Sequence, residues 1–503
     1  MKRNFIAIIL TLVSVSLFAT NGMNMIGYGP RSSAMGGVIF GFTDNVNSIN
    51  TNPGAIGFFE HKQFELNLGL LLPNVTFKNE FNDCEGEKEI FPLPGFSYVH
   101  GNSSKFVFGL GVYSQGGMGA TFKNRSHNLF RNYDMNPMGE EDPLTEDMEY
   151  HSKIGYVKIM PAITYRLNRN FSFGIAPSLG YSMLEMKMPY SIDPMEMKGI
   201  INSETGMTFG NMFGASIEQG GLGYEEVTAY ADLDDAATAY GFGATFGGSF
   251  SLNDNLTFGF GYTIKSTLTF EGKASMDMTS QFYQAYEKMV GGAMSQYELS
   301  LQDAQNSVNT QLAAMGIDMT LGMISDYNVE IEMSWPQQFG FGFGYKASDK
   351  LLLAADLKWI NWKDAMKEFK MSFDEGTNAN INAMMGSESL KLNMPLKWED
   401  QIVLALGIEY SLTPKLSLRS GYNFSSNPVP EKTLLPIFPA VIENHITFGF
   451  GYFLTKNLNC DIAYELNLEK KIEVNNSIVA NEYDNSSSSL SENVLHFGIN
   501  LMF

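Results

Sequence analysis

Residues 171–182 decide the fold, and they run Phe171-Ser-Phe-Gly-Ile-Ala-Pro-Ser-Leu-Gly-Tyr-Ser182. Every odd position carries an apolar side chain, and every even position carries serine, glycine or alanine. Alternation with a period of two predicts a β-strand with one apolar face and one small or polar face. The strand is longer than the five or six residues usual in soluble proteins, and it suits the roughly 9–11 residues of a tilted bilayer crossing.

Two further stretches repeat this pattern and indicate which way the apolar face points. Phenylalanine and tyrosine alternate with glycine and lysine over residues 339–346, and apolar residues alternate with Asn, Asp, Ala and Glu over 458–467. Small, amide and charged side chains on one face favour a wet lumen there, with lipid against the other face. A membrane barrel is therefore the favoured interpretation, and a secreted β-sandwich with its apolar face inward is the alternative.

Tight turns recur along the chain at no fixed period. Five segments place an aromatic residue before a polar three-residue turn and an apolar residue near its end. They are Tyr165–Phe171, Phe250–Leu256, Tyr345–Leu351, Tyr410–Leu416 and Tyr452–Leu458. A sixth, looser turn spans Gly101–Lys105. Aromatic rings beside such turns are typical of the girdle that a barrel places at the membrane interface.

The spacing of these turns predicts an all-β fold, a 14-stranded antiparallel transmembrane β-barrel. The predicted strands are 64–76, 94–100, 106–116, 150–166, 171–188, 237–252, 256–273, 328–346, 351–373, 390–411, 416–424, 444–454, 458–474 and 493–503. Short turns on one side and long connections on the other match outer-membrane barrels. The terminal Phe503 resembles the signal read by the barrel assembly machinery, which is an expected partner, as are outer-membrane lipid and lipopolysaccharide.

The first 19 residues predict a signal peptide, because Lys2 and Arg3 precede an apolar run too short to span a bilayer as a helix. With 54 acidic and 33 basic side chains, the chain lacks the positive charge that binding of nucleic acid needs. Its two cysteines, Cys84 and Cys460, exclude a disulfide scaffold. The predicted topology places them on opposite sides of the bilayer, so both are expected to be free thiols.

Residues 20–60 do not have the pattern of a strand. They are rich in Gly, Asn and Pro, yet they carry apolar side chains such as Met23, Met25, Ile26 and Phe40 that would avoid water. A wide barrel needs filling, so we expect this segment to be a hatch inside the lumen of the barrel formed by residues 61–503. A mobile periplasmic tail is the alternative.

Two stretches resemble the FadL/TodX family of outer-membrane transporters for long-chain fatty acids and other hydrophobic compounds. Gly27-Tyr-Gly-Pro-Arg-Ser-Ser-Ala-Met-Gly-Gly37, followed by Asn52-Pro-Gly54, is similar to the family hatch, in which alanine usually stands at position 54. Leu418–Pro430 and Ile442–Tyr452 are similar to the late strands. The resemblance implies a gate at Asn52, Pro53 and Gly54. We expect a ligand to compete with Met23, Met25 and Ile26.

The predicted lumen face is mostly small and polar, with a few apolar exceptions that we expect to touch hatch or ligand. They are Val107, Tyr113, Tyr156, Met160, Leu352 and Val403.

The third outer loop (189–236) and the fourth (274–327) hold many of the 30 methionines, and the fourth also has helical periodicity. Methionine suits surfaces that accept varied hydrophobic shapes, so these loops are predicted to form a capture groove. Its candidate residues are Met195, Met197, Met207, Met212, Phe282, Tyr286, Met289, Leu312 and Met315. The alternative is that the loops only pack on each other and cap the barrel.

No motif for phosphate binding, zinc proteolysis or a serine nucleophile is present, so we expect neither an enzyme nor a cofactor. The acidic run at residues 140–149 has ligand atoms suited to a divalent cation, but a solvated loop is favoured, and no metal site is predicted.

The predicted function is passive uptake of hydrophobic small molecules, most simply long-chain fatty acids or aromatic hydrocarbons, across the outer membrane of a Gram-negative bacterium. Ligand would enter from the methionine-rich loops, bind in the plugged lumen, and leave past the displaced hatch or sideways. The alternative is a protein-interaction barrel similar to the PorV-type shuttles of a secretion system, which share the hatch motif.

Overall fold

The computed structural model describes residues 21–129 and 145–503, apart from the side chains of residues 234 and 235. The predicted signal peptide and the acidic residues 140–142 lie outside the described residues.

The described chain is dominated by β-strands. They are β1 (Lys62–Lys78), β2 (Asp83–Glu85), β3 (Phe91–His100), β4 (Phe106–Asn128), β5 (Thr145–Arg166), β6 (Phe171–Ile192), β7 (Ile200–Asn202), β8 (Met207–Thr208), β9 (Val227–Asn253), β10 (Leu256–Thr263), β11 (Ser266–Asp277), β12 (Ile324–Trp335), β13 (Gln338–Ser348), β14 (Leu351–Ile360), β15 (Glu368–Asp374), β16 (Leu390–Pro395), β17 (Gln401–Ser411), β18 (Leu416–Ser425), β19 (Asn444–Phe453), β20 (Leu458–Val474) and β21 (Ser486–Met502).

Helices are short except in the long connection between β11 and β12. The α-helices are α1 (Pro30–Ser33), α2 (Phe209–Gly214), α3 (Thr279–Tyr297), α4 (Leu301–Ala314), α5 (Trp362–Ala365) and α6 (Ala379–Met385). Single 3₁₀ turns cover Val46–Asn50, Pro53–Phe58, Pro194–Glu196, Ile217–Gln219, Glu431–Thr433 and Asn481–Tyr483. Among the described residues, none of these helices combines the length and the apolar character that a membrane-spanning helix requires.

The sheet is antiparallel and closes on itself. The first long strand pairs with the last, from Gln63 opposite Met502 to Lys78 opposite Ser487. Along the ring, β1 pairs with β3, and pairing continues through β4, β5, β6, β9, β10, β13, β14, β17, β18, β19, β20 and β21. Closure satisfies the backbone groups of every long strand, which a bilayer crossing demands.

The predicted barrel of 14 continuous strands is wrong, because 19 strands form this closed sheet and five of them, β2, β11, β12, β15 and β16, lie outside the ring of pairs just described. Four of the predicted spans, 256–273, 328–346, 351–373 and 390–411, are each divided into two strands. The extra short strand β2 lies in the predicted first outer loop. The upper members of the divided strands pair with one another in the order β11, β12, β15, β16, and β11 is joined to β9.

The interruptions have clear local causes. Pro336 separates β12 from β13, and proline cannot donate to a ladder. Helix α5 separates β14 from β15. Pro395 ends β16, and Lys397, two residues further on, has a positive φ of 49°, which is incompatible with a strand.

Each interruption also exchanges the two faces of the strand. In β10 the even residues Phe258 and Phe260 are exposed on the outer surface, whereas in β11 the even residues Leu268 and Phe270 are buried inside. The odd residues of β13 and β12 make the same exchange. The apolar side chains therefore face lipid below the interruptions and form a core above them.

The N-terminal segment, residues 21–60, lies inside the barrel, and nearly all of it is buried. Residues 433–442 of the connection between β18 and β19 are also buried, in the upper lumen. The third outer loop is shorter than predicted, because β6 extends to Ile192 and β9 begins at Val227. The fourth loop, residues 278–323, contains the predicted helices.

Candidate ligand path

The N-terminal segment is fixed by its own turns before it meets the wall. Pro30 occupies the first position of α1, where a missing N–H costs nothing. The side chain of Asn45 accepts a hydrogen bond from the Asn47 N–H at 3.0 Å and so caps the following 3₁₀ turn. These local signals explain how a stretch with little regular structure adopts one shape inside the lumen.

The predicted gate residues contact the wall directly. The Asn52 amide donates to the Phe40 carbonyl at 3.2 Å and to Ser249 Oγ at 2.9 Å. The carbonyl of Pro53 accepts from Thr164 Oγ1, and that of Gly54 accepts from Ser172 Oγ, both at 2.6 Å. The turn therefore binds strands β5, β6 and β9 through hydrogen bonds.

Gly54 is a point of close approach between the segment and the wall. A Cβ at this position would lie 2.6 Å from the Gly248 Cα and 2.7 Å from the Gly247 carbonyl oxygen. Glycine stands here, where the family pattern has alanine, because the backbone of β9 leaves no room for a side chain.

Charged groups join the segment to strand β17, near the end of the barrel that carries the short turns. The Arg31 guanidinium forms two hydrogen bonds with the Glu409 carboxylate, both at 3.1 Å, and it lies 2.9 Å from Asp44. Glu409 also accepts from Arg419 at 2.6 Å, and Arg419 pairs with Asp461. Bidentate pairs of this kind fix orientation as well as adding energy.

A ligand is expected to displace Met23, Met25 and Ile26. All three are buried, but their side chains lie in different environments. Met25 packs in an apolar cluster with Tyr28, Val46 and Ile49 of its own segment. Met23 reaches a separate cluster in the upper lumen. Ile26 is buried, and its carbonyl accepts a hydrogen bond from Lys358 Nζ at 3.3 Å.

The six predicted lumen residues belong to, or pack against, three different apolar clusters. Val107, Tyr113 and Met160 pack with Met25. Leu352 lies against a small cluster that holds Met35, Val38 and Phe42. Tyr156 and Val403 belong instead to the upper cluster.

The upper lumen differs from the wet interior that the alternation predicts. Its inward side chains are Leu, Ile, Phe, Met and Trp from β11, β12, β15 and β16, joined by residues 434–442 of the connection after β18. The expectation of small and polar residues holds only for the lower part, where Gly259, Gly261, Gly340 and Gly344 face the segment. The result is a closely packed apolar region, the upper chamber, above a polar lower part.

An aromatic cluster within this chamber was not predicted. The ring centroids of Tyr156 and Trp335 are 4.8 Å apart, those of Trp335 and Trp362 are 6.2 Å apart, and those of Trp362 and Trp398 are 5.3 Å apart. The chain has four tryptophans, and three of them meet here. The tryptophans are not regularly spaced in the sequence. Only their concentration between residues 335 and 398 could have indicated a site.

The predicted capture groove is packed shut. Met197, Met212, Phe282 and Leu312 are buried in one cluster of the third and fourth loops, and Tyr286, Met289 and Met315 lie partly buried against it. Met195 and Met207 are exposed, 55% and 37% respectively. The structure thus brings seven of the nine residues together as a cap.

A polar cavity opens below the N-terminal segment. Its volume is about 670 Å³, and it is lined by Arg31, Asp44, Glu409 and residues of the short turns. Its charged lining contrasts with the apolar upper chamber.

No group of three potential metal ligands occurs among the described residues. Of the acidic run, Glu146, Asp147 and Glu149 lie on β5 beside a cavity of about 220 Å³. Cys84 on β2 and Cys460 on β20 are free thiols in the structure.

Comparison with known proteins agrees with this architecture. The family described as outer membrane protein transport protein (OMPP1/FadL/TodX) matches residues 7–503. Outer membrane protein P1 of Haemophilus influenzae is 20% identical, with 98% of each chain covered. A shorter match, 27% identical over 118 residues, takes in 57% of an uncharacterised protein of Chlorobium limicola.

Solved structures share the fold. The toluene transporter TodX of Pseudomonas putida has a TM-score of 0.66 at 19% identity, covering 95% of this chain and 99% of that one. A FadL homologue of Pseudomonas aeruginosa has the same TM-score at 15% identity, covering 97% and 99%. The chain therefore belongs to the OMPP1/FadL/TodX family of outer-membrane proteins, which are β-barrel channels that transport hydrophobic compounds rather than enzymes.

Proposed function

We propose that this protein takes up hydrophobic small molecules passively, with the N-terminal segment as its hatch. The observation that supports this most is the position of Met23 and Met25. Both lie in apolar clusters inside the barrel, so an apolar ligand that displaces them exchanges one buried apolar contact for another. Such an exchange needs little net free energy, and no external energy source is required.

Capture is assigned to the cap formed by the third and fourth outer loops. Exposed Met195 and Met207 offer a first apolar contact, and the methionines beneath them can adjust to varied shapes. The ligand would then pass into the upper chamber. We also propose that lipopolysaccharide surrounds these loops and that the barrel assembly machinery recognises the C-terminal strand.

Release is assigned to movement of the segment around Asn52, Pro53 and Gly54, or to passage sideways through the wall. The polar cavity below Arg31 supports the first route, because it leads from the segment to the periplasmic turns. The interrupted strands β10 to β17 support the second, because the wall strands there are short and end at the interruptions.

Long-chain fatty acids and aromatic hydrocarbons are the substrate classes we propose. The solved relatives include two described as toluene transporters, TodX and TbuX. A secretion shuttle is not favoured, because the comparisons place the chain with transport channels and the apolar loop residues are largely packed against each other.

Proteoliposomes provide the test. We expect the purified protein to increase the initial rate at which vesicles take up radiolabelled oleate or toluene, with saturation. Tyr156→Asp and Met160→Asp should reduce that rate, because each places a charge on the path. Resistance of the folded barrel to detergent at room temperature checks that the variants have folded. A rate equal to that of protein-free vesicles would contradict the proposal.

A further inference from the structure

The side chain of Asn24 occupies a polar position in the wall of the upper chamber. Its Oδ1 accepts a hydrogen bond from Trp335 Nε1 at 2.7 Å and another from Gln115 Nε2 at 2.8 Å. The indole N–H can only donate, so the orientation of the Asn24 amide is settled by chemistry. Two donors thus converge on one oxygen atom.

Both donors are held in place before any ligand arrives. Trp335 is 4% exposed and Gln115 is 1% exposed. The Gln115 Oε1 accepts from Asn50 Nδ2 at 3.2 Å, which turns the Gln115 amino group toward Asn24. Preorganised donors of this kind cost little to align when an acceptor binds.

Asn24 is an imperfect occupant of this position. Within the described part of the chain, its Nδ2 is buried without a hydrogen-bond partner. A buried donor without a partner is destabilising, because it has lost its hydrogen bonds to water and has gained none in the protein. A ligand that supplies an oxygen but no amino group would keep both hydrogen bonds and remove this cost.

The surroundings of the oxygen position are aromatic. Trp335 also contacts the rings of Tyr156 and Trp362, and Trp362 contacts Trp398. Aromatic rings attract other rings in tilted or edge-to-face arrangements more strongly than burial alone explains. A flat ring is therefore a better partner here than a flexible alkyl chain.

The backbone of Met23 and Asn24 is held at the same place. Asn24 forms a bridge with Gly116 on β4, and the Gly117 N–H donates to the Met23 carbonyl at 3.0 Å. Gly116 has a φ of 155°, and a Cβ there would collide with the Met23 carbonyl oxygen. Backbone hydrogen bonds thus hold the tip of the segment beside the two donors.

We propose that Trp335, Gln115 and the surrounding rings form a binding site for aromatic molecules that carry one uncharged oxygen acceptor, and that Asn24 occupies this site until such a ligand displaces it. The class includes aromatic ketones, esters and ethers. Neither donor is charged, so the pair favours a neutral oxygen over a carboxylate. The inference rests on the proposed function, since ligand must reach the upper chamber.

Calorimetric titration of the full-length protein in lipid nanodiscs tests the site, with empty nanodiscs subtracted. Acetophenone and cumene form a matched pair, because the ketone oxygen replaces a methyl group on the same skeleton. We expect acetophenone to bind about tenfold more tightly than cumene, which corresponds to about one net hydrogen bond. Asn24→Gly should tighten acetophenone further, because the competing amide is gone.

Variants separate the oxygen position from the apolar chamber. Trp335→Phe removes the indole N–H and Gln115→Met removes the other donor, and either should abolish the preference for acetophenone while cumene still binds. Trp359→Phe is the control, because Trp359 lies on the outer side of β14 and donates to Asp400 instead. Equal binding of the two ligands to the unaltered protein would overturn the site. Vesicle uptake of toluene would then still report separately on the proposed function.

Discussion

Arg31 is the side chain that most directly joins the N-terminal segment to the barrel. It is largely buried, with 17% of its side chain exposed, and its two carboxylate partners belong to different parts of the chain. Glu409 belongs to the wall strand β17, and Asp44 belongs to the segment itself. Because Arg419 also pairs with Glu409, loss of Arg31 does not leave the wall carboxylate without a cation.

We expect Arg31→Met to loosen the segment without unfolding the barrel. Hydrogen bonds to charged groups contribute about 1.5–3 kcal/mol each to stability, so opening of the segment should become at least tenfold more frequent. Hydrogen exchange of residues 30–45, measured by mass spectrometry, reports on this opening. Lys78→Met, which removes an exposed pair with Asp83, should change nothing. Unchanged exchange in Arg31→Met would show that the ion pair does not hold the segment.

At the scale of elements, the divided strands show where sequence reasoning succeeds and where it stops. Apolar residues occupy the even positions from Leu256 to Ile264 and return at Leu268 and Phe270, so the pattern predicts one strand with a single outward face. The structure interrupts it, and the same parity then faces inward. Alternation reports that two faces differ, but it does not report which face meets lipid.

The last outer connection, residues 475–485, is anchored by a buried carboxylate. Glu482 accepts hydrogen bonds from the Tyr150 hydroxyl at 2.8 and 2.9 Å, lies 2.5 Å from His127 Nδ1, and lies 3.5 Å from Arg125 Nη2. Burial opposes its ionisation, but attraction by Arg125 and His127 outweighs burial and holds the pKa of Glu482 below its ordinary value. The ionised form is therefore the one that stabilises the anchor.

The direction of this pKa shift predicts how the connection between β20 and β21 responds to pH. A depressed pKa contributes stability above the ordinary glutamate pKa of about 4.3, and that contribution is lost as pH falls below it. A nitroxide label at Asn476 should keep constant mobility from pH 8 to about 5 and become more mobile toward pH 3. Glu482→Gln should give high mobility throughout. A rise in mobility between pH 8 and 5 would contradict this assignment.

At the scale of the whole molecule, the two cysteines test which end of the barrel faces the cell exterior. Cys84 lies on β2 beside Phe77, whereas Cys460 lies three residues beyond the turn at residues 454–457. Burial raises the pKa of the Cys84 thiol, so it should react slowly at neutral pH. A membrane-impermeant maleimide added to intact cells should label Cys84 and spare Cys460. Labelling of Cys460 instead would invert the orientation.

Sequence reasoning predicts that the N-terminal segment lies inside the barrel, because Gly, Pro and Asn mark turns and because the motif resembles a known hatch. It did not foresee the Trp335 cluster or the Asn24 position, since these depend on strands and loops that are distant in sequence. The gating role of residues 21–60 stays a prediction.

Planar-bilayer conductance of a protein lacking residues 21–40 tests that role most directly. The deletion removes Met23, Met25, Arg31 and Phe40 from the lumen while leaving every strand of the ring in place. We predict a folded barrel whose conductance to potassium chloride exceeds that of the intact protein, because water replaces the buried segment. A folded deletion protein with conductance no greater than that of the intact chain would show that these residues do not close the pore.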